Sequence, residues 1–116
     1  KPSDIDVAEL HDAFTILEIA ESEHVGFFKK GEGGKAALAG KTRLGGPLPI
    51  NVSGGLKARG HPVGATGVAQ VVDIVWQLRH ELPENRQVKN ARTGFTINFG
   101  GFGNNIVSFV LKRVEP

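Results

Sequence analysis

The sequence predicts an α/β domain on a mixed sheet, with its elements in the order β-α-β-α-β-β. Three observations carry that reading. Short stretches that alternate apolar and polar residues are interleaved with two longer stretches whose apolar residues recur at helical spacing. Glycine-rich segments punctuate them. The last two alternating stretches are joined by so few residues that they must be antiparallel neighbours, since a parallel pair needs a long crossover. At 116 residues the chain is one domain at most.

The first strand is read over residues 4–11, from Ile5, Val7 and Leu10, and ends at His11. Asp12 then caps a helix over 13–23, where Phe14, Leu17 and Ala20, with Ile16 and Ile19, repeat at helical spacing and Gly26 is the stop. Residues 27–49 form a mobile connector rich in glycine, proline and lysine, either a solvated surface loop or a segment near a phosphorylated ligand. A second strand covers 49–52. A helix over 65–80 follows, with Val68, Val71, Val72, Val75 and Leu78 as its packing stripe and Trp76 widening it. After a polar turn at 82–90, strands are read at 92–99 and 106–111, with a glycine bend at 100–103 between them.

Composition excludes several classes. The net charge of +2 is slight and the basic residues are scattered among acids, which argues against nucleic acid as a partner. The chain has no cysteine, so it supplies no disulfide, no thiolate metal ligand and no cysteine nucleophile. No apolar run reaches membrane-spanning length and no basic-then-apolar leader opens the chain, so a soluble, cytoplasmic protein is the expectation. The first residue is Lys1, which reads as a fragment or a processed piece.

Residues 51–70 organise the rest. They open as a strand and close as a helix, with Gly54, Gly55, Gly60, Gly64 and Gly67 and Pro62 between. Such a density of glycine suits a loop that turns tightly and approaches another group closely. His61 lies in its middle. Pro62 biases it away from helical backbone, towards presentation from the loop, beside the positive end of the following helix. Without any family, the candidates for chemistry are His11 with Asp12, His61, and Asn98 in its glycine bend, each on a turn after a strand, where they converge if the strands are parallel. His24 and His80 sit near helix ends and read as structural. The glycine spacing matches neither a dinucleotide fingerprint nor a nucleotide-hydrolase loop, and the histidines are too dispersed for a zinc site, so no metal is expected.

The stretch from Asn51 to Gly67, with Gly60-His61-Pro62 at its centre, closely resembles the Gly-His-Pro signature of thiolases, which make or cleave 3-ketoacyl-coenzyme A by Claisen chemistry. His11-Asp12-Ala13-Phe14 resembles the block of the sterol-carrier-protein-type and archaeal thiolases, as do residues 28–35 and Trp76-Gln77-Leu78-Arg79. The likeness runs over essentially the whole chain, residues 1–116, but covers only most of the C-terminal half of a thiolase.

That resemblance implies the roles. His61 takes the proton of the nucleophilic cysteine and donates to the thioester oxygen; His11 is its partner in the oxyanion hole. The main-chain groups of Phe99 and Gly100 add to that hole. Asp12, Asn51, Gly60, Pro62 and Asn98 support the loops, and Gly54, Gly55 and Phe14 contact substrate. Coenzyme A thioesters are substrates and no cofactor is bound. The cysteine must come from an N-terminal thiolase segment or subunit, in a homo- or hetero-oligomer, with an OB-fold acyl-coenzyme A-binding partner as a further possibility.

Two departures qualify the likeness. Ile97 stands where the family's proton-exchanging Cys or His is expected, and Ala13 where the sterol-carrier branch has a further Cys. The half-fold as the family implies it also has a central first strand, between the strand ending at His11 and that of the last catalytic block; this chain lacks it, so the polypeptide is expected to need another segment to fold. The leading expectation is an acetyl-coenzyme A acyltransferase active only with its N-terminal portion. The alternatives are a retro-aldolase acting on 3-hydroxyacyl-coenzyme A, and a non-catalytic acyl-coenzyme A or lipid-binding subunit.

Overall fold

A computed structural model describes residues 1–114. Its elements are β1 (Val7–Glu9), α1 (Thr15–His24), α2 (Gly33–Leu38), α3 (Gly55–Arg59), α4 (Thr66–Arg79), β2 (Thr93–Gly100) and β3 (Asn105–Lys112), preceded by a 3₁₀ turn at Pro2–Asp4. The sheet runs β1-β2-β3, with β1 parallel to β2 and β3 antiparallel to it, which is the mixed α/β arrangement read from the sequence.

Alternation along the strands sends side chains to two small cores. Val7 of β1 packs with Ile74 and Leu78 of α4 and with Val88 and Ala91; Ala8, Leu10 and Phe95 face the other way, against Ile50 and the segment carrying Phe27 and Phe28. Gly94 brings the sheet close to α4, because a Cβ there would overlap the Ile74 side chain.

Several expectations are revised. The strand thought absent between β1 and β2 has no gap to fill: Val7, Ala8 and Glu9 pair directly with Gly94, Phe95 and Thr96. Asp6 zips the two together, its Oδ2 accepting from the Arg92 and Thr93 N–H groups and its own N–H donating to the Thr93 carbonyl. The expected strand at 49–52 shrinks to one parallel bridge, Ile50 to Ala8, because Asn51 turns into left-handed backbone at φ 52°. Asp12 does not cap α1, which starts at Thr15 without a side-chain cap. The connector is pinned and contains α2: Glu23 accepts from the Gly31 and Gly33 N–H groups at 2.9 Å each, and Gly33 is buried against Ser22.

The largest revision concerns α4. Its buried residues are Thr66, Gln70, Asp73, Ile74, Gln77 and Leu78, whereas Val68, Val72 and Trp76 of the anticipated stripe are 67%, 37% and 43% exposed. The inward face is polar because it bonds backbone: the Gln70 amide reaches the Ile97 carbonyl, and Gln77 accepts from the Val88 N–H and donates to the Arg86 carbonyl.

Candidate active site

The site forms where the turn after β1, the glycine loop and the end of β2 meet. His11 is 4% exposed and His61 is exposed, yet their rings lie 4.9 Å apart, edge to face at 89°. Both line one hollow of about 790 Å³, together with Phe14, Leu56, Lys57, Phe99 and residues 100–103. The convergence expected from three separate turns is therefore realised.

Each histidine is held differently. The His11 main-chain N–H donates to Glu21 Oε2 at 2.8 Å, and its ring stacks on Phe99 with centroids 5.3 Å apart. Asn98 Nδ2 lies 3.0 Å from His11 Nδ1, and the Phe99 N–H donates to the same atom at 3.3 Å. The Phe99 N–H, which the resemblance implies for an oxyanion, is thus engaged by the ring. A nitrogen that accepts two donors carries no proton, so the neutral His11 ring is protonated at Nε2. Burial holds His11 below the ordinary imidazole range; His61 pushes the same way and the Asp12 carboxylate opposes it. Among the described residues His61 makes one side-chain hydrogen bond, Nδ1 to Thr66 Oγ1 at 2.7 Å. Among the described residues no hydrogen bond engages Nε2 of either ring.

The supporting residues explain why the loop is glycine-rich. Asp12 is buried and its Oδ1 accepts from the Leu56 N–H at 2.7 Å, tying the His11 turn to α3. Gly55, at φ 63°, lies so close to Asp12 that a Cβ would overlap its carboxylate. Gly54 and Gly55, expected at substrate, do not line the hollow; they sit beneath it, at the start of α3. Asn51 accepts from the Leu10 N–H at 2.7 Å and donates to Glu18 at 2.8 Å, bracing the end of β1. Gly60, at φ 88°, closes α3, and the Pro62 carbonyl accepts from the first N–H groups of α4.

Ile97 and Asn98 occupy opposite faces of β2. Ile97 packs on the core around Ala8, Leu10 and Phe95, while Asn98 turns to His11. Position 98, not 97, is the one that meets His11. The lysines of the connector are exposed and none lines the hollow.

Sequence reading missed the carboxylates and amides behind the site. Glu21 is 3% exposed, with Oε1 unpartnered; burial, with Asp12 and Glu18 nearby, pushes its carboxyl up to about 8. Burial likewise pushes Glu9 up to about 7, against the hydrogen bonds from Ser53. Glu9 accepts from Ser53 Oγ at 2.7 Å, and Arg59 pairs with Asp73, fastening the glycine loop to β1 and α4. Gln70 and Thr66 are the remaining unforeseen members. The one available signal was their spacing, i and i+4 on a single helix.

Comparison with known proteins agrees with this geometry. The profile of the family described as "Thiolase C-terminal domain-like" matches residues 1–113. An acetyl-CoA acetyltransferase of Methanothermobacter thermautotrophicus is 52% identical over 97% of this chain and 29% of its own length. Sterol carrier protein 2 of Bos taurus is 45% identical over 100% of this chain and 21% of its own length. Among solved structures, a chain of the Ltp2-ChsH2(DUF35) aldolase superposes with a TM-score of 0.71 at 29% identity, over 84% of this chain and 24% of that one. The chain thus spans less than a third of the length of these relatives. With paired histidines on the two turns and a family profile running from its first residue to the end of the last strand, this chain belongs to the thiolase C-terminal domain-like family.

Proposed function

We propose that this chain is the histidine-bearing part of a thiolase-type acyltransferase acting on coenzyme A thioesters, completed by a segment or subunit that supplies a nucleophilic cysteine. The observation that carries this reading is the pairing of His11 and His61, 4.9 Å apart on the wall of one hollow. His61 Nε2, unencumbered in an exposed ring, takes the thiol proton. The thiolate attacks the thioester carbonyl; the new carbon–sulfur bond forms as the carbonyl becomes an oxyanion, which accepts from the His11 Nε2–H and from the His61 imidazolium. When the carbon–sulfur bond to coenzyme A breaks, the proton held by His61 goes to the departing thiolate. The apolar rim of Phe14, Val63 and Phe102 suits an acyl chain.

A retro-aldolase is the second reading, favoured by the likeness to a chain of an aldolase and by the inward-facing Asn98, which holds a proton in place but does not transfer one. It requires a base and an oxyanion hole without an acyl-cysteine. The complete protein, given a 3-ketoacyl-coenzyme A with free coenzyme A and separately a 3-hydroxyacyl-coenzyme A, distinguishes the two. Consumption of free coenzyme A is expected; cleavage of the hydroxyacyl substrate alone supports the aldolase, and turnover of neither overturns both.

A further inference from the structure

Thr66 and Gln70 are 2% and 0% exposed, among the most enclosed side chains of the molecule. Four residues apart on α4, they share one helical face, and each leads to one of the two histidines.

Hydrogen-bond chemistry fixes the direction of the Gln70 connection, and the Pro62 carbonyl beside the Thr66 hydroxyl favours one direction for the other. Gln70 Nε2 lies 3.0 Å from the Ile97 carbonyl and 3.5 Å from that of Glu9. Carbonyl oxygens only accept, so the amide nitrogen must face them and Oε1 must face away. Asn98 Nδ2 is 3.1 Å from that oxygen. One amide hydrogen of Asn98 is therefore given to Gln70, and the other points at His11 Nδ1, 3.0 Å away. His11 accepts there and keeps its proton on Nε2. Thr66 works in the opposite sense. The Pro62 carbonyl, 3.1 Å from Thr66 Oγ1, only accepts; with the hydroxyl hydrogen on it, Oγ1 offers a lone pair to His61 Nδ1 at 2.7 Å. In that arrangement His61 carries its proton on Nδ1 and Nε2 is bare.

We infer that the buried face of α4 sets the two imidazoles in opposite tautomers: Gln70, by turning the Asn98 amide to His11 Nδ1 beside the Phe99 N–H, makes His11 a donor at Nε2, and Thr66 makes His61 an acceptor at Nε2. Both are positioning residues, and the inference rests on reading the histidines as a donor and a base. A role confined to filling the core predicts altered stability with both tautomers unchanged.

The test is ¹⁵N-histidine NMR on the complete protein, at a pH above the ordinary imidazole range so that both rings are neutral. The expected wild-type spectrum has His11 protonated at Nε2 alone and His61 at Nδ1 alone. In Gln70→Met, Asn98 loses the acceptor that orients its amide, so its oxygen is expected to compete with the Phe99 N–H for His11 Nδ1, giving a mixture of tautomers and a kcat about tenfold or more lower with KM little changed. Thr66→Val is expected to do the same to His61, and Thr66→Ser to restore both the tautomer and the rate. Wild-type rings that share one tautomer overturn the inference, as do variants that lose stability with both tautomers intact. The wild-type spectrum decides by itself if a variant does not fold. The tautomers are read without substrate, so opposite tautomers in a protein that turns over no thioester sink the functional reading alone. Matching tautomers in an active enzyme sink this inference alone.

Discussion

The two histidines are the same side chain in contrasting settings. His11 is enclosed, stacked on Phe99 and met by two donors at Nδ1; His61 stands exposed in its loop, with a single side-chain hydrogen bond, to Thr66. Burial and saturation make the first a group of fixed protonation and direction. Exposure leaves Nε2 of the second open to whatever occupies the hollow. The difference teaches that presenting one enclosed and one open imidazole to the same hollow takes two kinds of backbone: a strand end for one and a glycine loop for the other.

That contrast can be broken most severely at the base. His61→Ala is expected to lower turnover of the complete enzyme about 10³-fold while leaving its melting temperature almost unchanged, since an exposed ring contributes little to packing. Steady-state kinetics beside thermal unfolding reads both; a large loss of stability would show that His61 is a structural residue. His11→Ala reverses the balance. Turnover is expected to fall about 10²-fold, and stability by about 2 kcal/mol, because the Asn98 amide and the Phe99 N–H lose their acceptor and the Phe99 ring its stacking partner.

The scaffold between the two turns is sharpened by Gly55→Ala. Left-handed backbone and overlap with Asp12 together are expected to cost about 2–3 kcal/mol in denaturant unfolding. A neutral result would mean that Asp12 does not hold the His11 turn to α3.

The last effect is a pH dependence behind His11. Glu21 ionises near 4.5 when unperturbed, and only near about 8 in the fold. Across that window the folded state holds a proton that the unfolded chain has released, so stability is expected to fall as pH rises from the lower value to the higher. Glu9, raised to about 7, adds to the same slope. Glu21→Gln, which still accepts the His11 N–H, is expected to flatten the curve of melting temperature against pH; an unchanged slope would show that Glu21 ionises normally.

The position of the site was legible in the chain because each member is announced locally. His11 ends an alternating strand and is followed by Asp12, His61 is flanked by glycine and proline, and Asn98 precedes a glycine bend. Turn chemistry is a short-range property, and strand ends on a partly parallel sheet gather at one edge. The residues behind the histidines were not legible. Thr66 and Gln70 offer only their i, i+4 spacing and Glu21 no signal at all that a polar side chain faces inward, and their partners are 10 to 28 residues away or sit across a loop. Ile97 misled for a related reason: alternation shows that neighbours point oppositely, but not which of the two faces the histidines.

By itself, then, the sequence determined the α/β class, the first strand with α1 and α4, the antiparallel hairpin at the end and the two histidine turns, all set by near-neighbour backbone preferences and side-chain periodicity. Only the tertiary structure decided that β1 lies directly against β2, that α4 turns amides rather than valines towards the sheet, and that His11 is sealed while His61 is open. Those outcomes depend on which unpaired carbonyls and N–H groups await a helix when it docks, a demand made by residues far away along the chain.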